Sequence, residues 1–213
     1  VGFFAIPAVA REDYRTAFSC LLVALVIDGL DGTLARAVRI KEVLPDFDGK
    51  MLDWVFDFLN FVITPAFILY QGDIVEGRFT VPCVIAVLLV SSYHYGNAKA
   101  LTSDHYFLGF PAMWNIVIFY LFVLGLGPRW NLALVAVCCA LHFAPIKFVY
   151  PSRTRRQWGL NVAVSGVGAA TALGVVLLLP TPPRWLVLVS AGCAAFIVVA
   201  SMAHTVFPAR ART

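Results

Sequence analysis

The chain has 213 residues, of which 61% are hydrophobic and 13% charged, with a net charge of +4 and a mean hydropathy of +0.84. That composition excludes a water-soluble globular enzyme or a nucleic-acid-binding module, since too little polar sequence remains to cover a soluble core. It points to an all-α integral membrane protein, a polytopic transmembrane helix bundle forming one domain over residues 1–213.

In chain order, the opening stretch VGFFAIPAVA (residues 1–10) is about half the length of a spanning helix. It lacks the basic start and cleavage sequence of a signal peptide, and is expected to be the end of a truncated first helix. Seven full spans are predicted after it, at 15–36, 49–70, 79–97, 110–126, 130–149, 158–179 and 185–205. With the truncated one they make eight helices in the intact protein. The breaks QGDIVEG, GLGPRW and PTPPRW carry Gly and Pro that end helices, and Trp130 and Trp185 mark water interfaces. Cys20, Cys83, Cys138, Cys139 and Cys193 lie within apolar runs, and an odd number without ligand spacing argues against both a disulfide framework and a zinc site.

Lys and Arg divide unevenly between the two sets of loops. Arg36, Arg39, Lys41, Lys50, Lys99, Lys147, Arg153, Arg155, Arg156, Arg210 and Arg212 fall on one side; Arg11, Arg15, Arg78, Arg129 and Arg184 fall on the other. The side with the excess is read as cytoplasmic, and it holds every carboxylate from Asp28 to Asp57.

Those carboxylates are the chemical anomaly of an oily chain. Asp28 and Asp31 are spaced i, i+3 at the end of one predicted helix, and Asp53 and Asp57 i, i+4 at the start of the next. A short connection makes the two helices antiparallel neighbours, so four carboxylates share one small volume. Like charges at close range raise each other's pKa or demand cations. Oxygen donors without His or Cys suit Mg²⁺ or Mn²⁺, and two facing pairs suit two ions with an anionic, phosphate-bearing substrate. Gly29, Gly32 and Gly49 leave room for close helix approach or for a bulky ligand, and Arg36 is placed to fork onto a phosphate. Glu42, Asp46 and Asp48, beside Lys41 and Lys50, are read as solvated loop charges.

Asp28, Asp31, Gly32, Ala35, Arg36, Gly49, Asp53 and Asp57 together resemble the signature of the CDP-alcohol phosphotransferases, D-x-x-D-G-x-x-A-R, a spacer, then G-x-x-x-D-x-x-x-D. The twelve-residue spacer AVRIKEVLPDFD is longer than the common form. With KEVLPDFDGKMLD, HYFLGFPAMWN and PIKFVYPSRT it resembles a bacterial branch whose acceptor is choline. The resemblance implies the CDP-alcohol phosphotransferase fold, in a bacterial inner (cytoplasmic) membrane with the active site facing the cytoplasm. It implies two Mn²⁺ or Mg²⁺ ions on Asp28, Asp31, Asp53 and Asp57, with Asp53 and Asp57 catalytic and Asp57 the general base. CDP-diacylglycerol would meet Gly29, Gly32, Ala35, Arg36 and Gly49, with Arg153 and Arg155 available to its phosphates. Choline would release CMP from CDP-diacylglycerol by direct displacement, and a homodimer is carried over from the family.

A quaternary ammonium has no N–H to donate, so aromatic faces should receive it. Tyr93, Tyr95, Tyr106, Trp114 and Tyr150 are the candidates, each also suited to an interfacial belt. Arg153, Arg155 and Arg156 suit orientation as well as phosphate binding. Two other readings stay open at this stage. One is another acceptor in the same family, such as serine, inositol or glycerol phosphate; the other is a cation or choline transporter using membrane carboxylates.

Overall fold

A computed structural model describes residues 1–37, 46, 48–97, 102, 104, 106–151 and 154–207, with the side chains of Asp31, Gly32, Thr33, Ala35, Arg36 and Lys50 excepted. A 3₁₀ turn at Gly2–Phe4 runs into a short helix, α1 (Ala5–Ala10). Gly2 lies against Asn60 so closely that a β-carbon there would collide with the Asn60 side chain. The chain reverses through Glu12, which takes a left-handed φ of 59°. Asp13 then starts the long helix α2 (Tyr14–Ala37) by accepting the Thr16 backbone N–H at 3.0 Å.

Asp48 does the same for the next helix. Its carboxylate accepts the Met51 N–H at 3.1 Å at the start of α3 (Gly49–Phe58). Asp48 thus has a structural task beyond that of a solvated loop charge: it satisfies a donor that every helix start leaves open. A five-residue π-helical segment, Leu59–Ile63, joins α3 to α4 (Thr64–Gln71). Pro65 explains the wider turn, because it has no N–H to return to the preceding turn and its ring crowds that turn's carbonyl. The Thr64 hydroxyl fills in by donating to the Leu59 carbonyl at 2.9 Å.

Helix α5 (Gly77–Gly96) follows a loop in which Glu76 pairs with Arg78 at 2.9 Å and Arg129 at 3.3 Å. Then come α6 (Trp114–Leu124), α7 (Pro128–Leu141), α8 (Trp158–Leu177) and α9 (Arg184–Val206). Trp114 and Ile118 of α6 are fully buried, as are Ile68 and Leu69 of α4 and Val87 of α5, so the core sits where these three helices meet. Helix α9 lies along α8, where Gly168 lets the Cys193 side chain approach.

The chain is helical as expected, and Met51–Gln71, Gly77–Gly96, Trp158–Leu177 and Arg184–Val206 are long and apolar enough to cross a membrane. Two predicted spans are shorter. The segment 110–126 becomes the 11-residue α6, and 130–149 becomes the 14-residue α7. At 1.5 Å per residue α6 is about 16 Å long, well short of a hydrocarbon core of about 30 Å. The cause is local. Pro111 and Ala112, the latter at a φ of 56°, hold the chain out of helix before Trp114, and Pro145 stops it after Leu141.

The end of the second of those spans pairs with residues just before the first in a two-stranded antiparallel ribbon, β1 (Tyr106–Leu108) against β2 (Lys147–Val149), with Phe107 opposite Phe148. Its outer edge is closed by helix α9: Ser201 and Thr205 accept the Val149 and Lys147 N–H groups at 2.9 and 2.8 Å. A ribbon this short has little cohesion of its own; these hydroxyls supply the acceptors that a missing third strand would.

Candidate active site

Asp28 comes from the later part of α2, and Asp53 and Asp57 from one face of α3. Each is partly buried, and their carboxylate oxygens lie within 4.8 Å of one another. The i, i+4 spacing stacks Asp53 and Asp57 one turn apart, and α2 presents Asp28 to both. Three like charges this close in a partly apolar setting call for a cation. All donors are carboxylate oxygens, which fits a hard divalent ion such as Mg²⁺ or Mn²⁺ and not zinc. Asp31 follows one turn along α2; its side chain, with those of Gly32, Ala35 and Arg36, lies outside the described residues.

Gly29 and Gly49 sharpen the sequence reading. Among the described residues, a β-carbon built on either meets no heavy atom within 4 Å, and both residues are exposed. Helix contact therefore does not require glycine at these positions; the open space beside the carboxylates suits the other option, a bulky ligand.

The aromatic candidates part company. Tyr95, in the last turn of α5, stands in the electrostatic field of Asp57, Asp28 and Asp53. Its ring meets Phe58 edge-on at 5.5 Å and His94 at 5.9 Å. Tyr150 stacks on Phe107 at 4.9 Å, and Phe107 in turn faces His94 at 6.5 Å. Trp114 is fully enclosed, donating its indole N–H to Ser91 Oγ at 2.8 Å and stacking on His142. Tyr106 is buried with its hydroxyl 3.2 Å from His204 Nδ1. Tyr93 is exposed and packs on Phe143. Among the described residues, Tyr95 is a candidate that the aspartates influence.

Of the arginines, Arg153 lies outside the described residues and Arg155 is exposed in the turn before α8. Arg156 donates to the Phe207 carbonyl at 2.6 Å, closing the end of α9. Sequence reasoning gave no part in the site to four residues around it: Phe58, the cap Asp48, and His94 with His142, whose rings meet at 5.8 Å. Only Asp48 carried a local signal, an Asp just before a helix start; the others are brought in by tertiary packing.

From Phe58 an apolar cleft of about 460 Å³ runs between α4 and α5 to Tyr70, with Phe67, Val84 and Leu88 in its walls. Phe58, at one end of it, directly follows Asp57 in the sequence.

Residues 1–144 match the profile of the CDP-alcohol phosphatidyltransferase family. Among curated relatives, a phosphatidylcholine synthase of Borreliella burgdorferi is 33% identical over 165 residues, covering 78% of this chain and 70% of that protein. One from Rhizobium johnstonii is 32% identical over 212 residues, 100% of this chain and 88% of the relative. One from Pseudomonas aeruginosa reaches 44% identity over 152 residues, 70% of this chain and 64% of the relative.

Proposed function

The chain belongs to the CDP-alcohol phosphatidyltransferase family, and from that premise we propose that it makes phosphatidylcholine, transferring the phosphatidyl group of CDP-diacylglycerol to choline and releasing CMP. The observation that carries this reading is the convergence of the carboxylate oxygens of Asp28, Asp53 and Asp57 within 4.8 Å of one another. The shared name of the relatives supports choline as the acceptor. The apolar cleft beginning at Phe58 supports a lipid donor, since it offers an acyl chain a path away from the carboxylates.

The reaction needs one displacement. The Asp57 carboxylate takes the proton of the choline hydroxyl, whose oxygen attacks the β-phosphorus of CDP-diacylglycerol. The new oxygen–phosphorus bond forms as the bond to the bridging oxygen breaks, and CMP leaves with that electron pair. Asp28, Asp31, Asp53 and Asp57 are the residues that would hold two Mn²⁺ or Mg²⁺ ions. Bound there, such ions neutralise the diphosphate and the charge of the leaving group. Gly29, Gly32, Ala35 and Gly49 give the nucleotide room. Arg36, Arg153 and Arg155 offer forked donors to phosphate oxygens, and choline's ammonium is received by aromatic rings, with Tyr95 the candidate that the aspartates influence. The excess of Lys and Arg on one set of loops supports an orientation in the inner membrane with this site facing the cytoplasm.

The test is an acceptor panel: purified protein with CDP-diacylglycerol and Mn²⁺, offered choline, serine, inositol or glycerol 3-phosphate in turn. Phosphatidylcholine with one CMP per lipid is the expected product. A lipid product from another acceptor and none from choline would move the assignment elsewhere in the family.

A further inference from the structure

Phe58 follows Asp57 directly on α3, and its ring meets that of Tyr95 with planes at 85°. Both side chains are partly buried. Two rings at right angles beside a group of carboxylates form a corner with π-faces and negative charge together, the combination that attracts a cation lacking N–H donors.

Choline's own geometry narrows the choice. Only two methylene groups separate its hydroxyl from its ammonium. Whatever receives the ammonium must therefore lie next to the base that takes the hydroxyl proton. Phe58 is adjacent in sequence to that base, and Tyr95 packs against Phe58. The remaining aromatic candidates have ring faces or polar tips engaged elsewhere: Trp114 with His142 and Ser91, Tyr150 with Phe107, Tyr106 with His204, Tyr93 with Phe143.

We propose that Phe58 and Tyr95 form the pocket for the acceptor's quaternary ammonium and set the enzyme's preference for a fully methylated amine. The inference rests on reading this site as a choline transferase. A trimethylammonium buries its methyl groups against the two rings while its charge is balanced by the aspartates. A primary ammonium brings three N–H groups that ring faces satisfy poorly, and it keeps water there at the expense of fit.

The experiment uses the full chain in vesicles containing CDP-diacylglycerol, with Mn²⁺. It compares kcat and KM for choline, N,N-dimethylethanolamine and ethanolamine in the wild type, Tyr95→Leu, Phe58→Leu and Tyr95→Phe. Each Leu variant is expected to raise the choline KM about tenfold, the size of one desolvated cation–π contact. The expected kcat stays within about twofold, the KM for CDP-diacylglycerol holds in Tyr95→Leu, and the ethanolamine KM moves much less. Tyr95→Phe keeps the ring and is expected to behave as wild type. An unmoved choline KM in both Leu variants, an equal shift for choline and ethanolamine, or a loss in Tyr95→Phe as large as in Tyr95→Leu would overturn the pocket while leaving the reaction assigned. A wild type that makes no lipid from choline would overturn the underlying reading and the pocket together. Should the Leu variants fail to fold, Phe58→Tyr and Tyr95→Trp keep a ring at each wall. A tenfold rise of the choline KM in both would equally overturn it.

Discussion

Two polar regions sit in this apolar chain, and they are built in opposite ways. In the ribbon, opposites are matched: Lys147 with Asp104 at 2.6 Å, Tyr106 with His204, and the β2 N–H groups with Ser201 and Thr205. In the carboxylate corner, like is gathered with like, as Asp28, Asp53 and Asp57 bring their oxygens within 4.8 Å. Matched groups hold a fold together, whereas carboxylates gathered at close range are an arrangement suited to binding a cation. Substitutions should therefore separate the regions, harming activity at the corner and stability at the ribbon.

The largest effect is expected at Asp57. Asp57→Asn should lower the rate of phosphatidylcholine formation by about 10³-fold or more, in the range for a lost general base. In chelator it should unfold at a higher temperature than wild type, because one of three like charges is gone, by the equivalent of about 1 kcal/mol. A variant that is both active and less stable would erase the contrast between the two regions. Ser201→Ala should do the reverse. It leaves the Val149 N–H buried without its acceptor, at about 1–3 kcal/mol, which a thermal-unfolding scan would read, while kcat per folded molecule holds. Asp48→Ala lies between the regions, since it removes the cap of the helix that carries Asp53 and Asp57. About 1 kcal/mol of stability, accompanied by a small loss in metal affinity, is the expected outcome in a Mn²⁺ titration.

The smallest effect concerns pH. The Asp104 carboxyl is held below the usual carboxylate range, first by its hydrogen bond from Lys147 and then by that from Thr102. A carboxyl whose pKa is lowered on folding contributes fully above its unfolded value, about 4, and the contribution is lost as pH falls through the folded value. Comparing wild type with Asp104→Asn, the stability gap should be constant from about pH 5 to 8 and close below about pH 4. Both partners are well exposed, at 37% and 50%, so the gap should be only a few tenths of a kcal/mol.

The same contrast explains what could be read from the sequence. The corner was legible because its information is local: an i, i+4 pair, an i, i+3 pair and a short connection place Asp28, Asp53 and Asp57 with no knowledge of the rest. Helix positions were legible from runs of apolar residues. The ribbon was not, because three-residue strands leave no alternation to detect and their partners stand about 40 residues apart. Pro111 and Pro145 marked where two spans should stop, yet hydropathy alone carried the predicted helices through both. The Phe58–Tyr95 contact was equally hidden, since it depends on how α3 packs against α5. Tyr95 entered only as one of five aromatics and Phe58 not at all.

The most direct test of the central claim, that the aspartate corner is a divalent-metal site for phosphatidyl transfer to choline, is turnover of CDP-diacylglycerol and choline by the purified chain through one cycle of chelation and metal return. Phosphatidylcholine and CMP should stop appearing in excess EDTA and resume together on adding Mn²⁺ or Mg²⁺ in the wild type, with no recovery in Asp53→Asn. Turnover that continues undiminished in chelator, or that Asp53→Asn recovers in full, would contradict it.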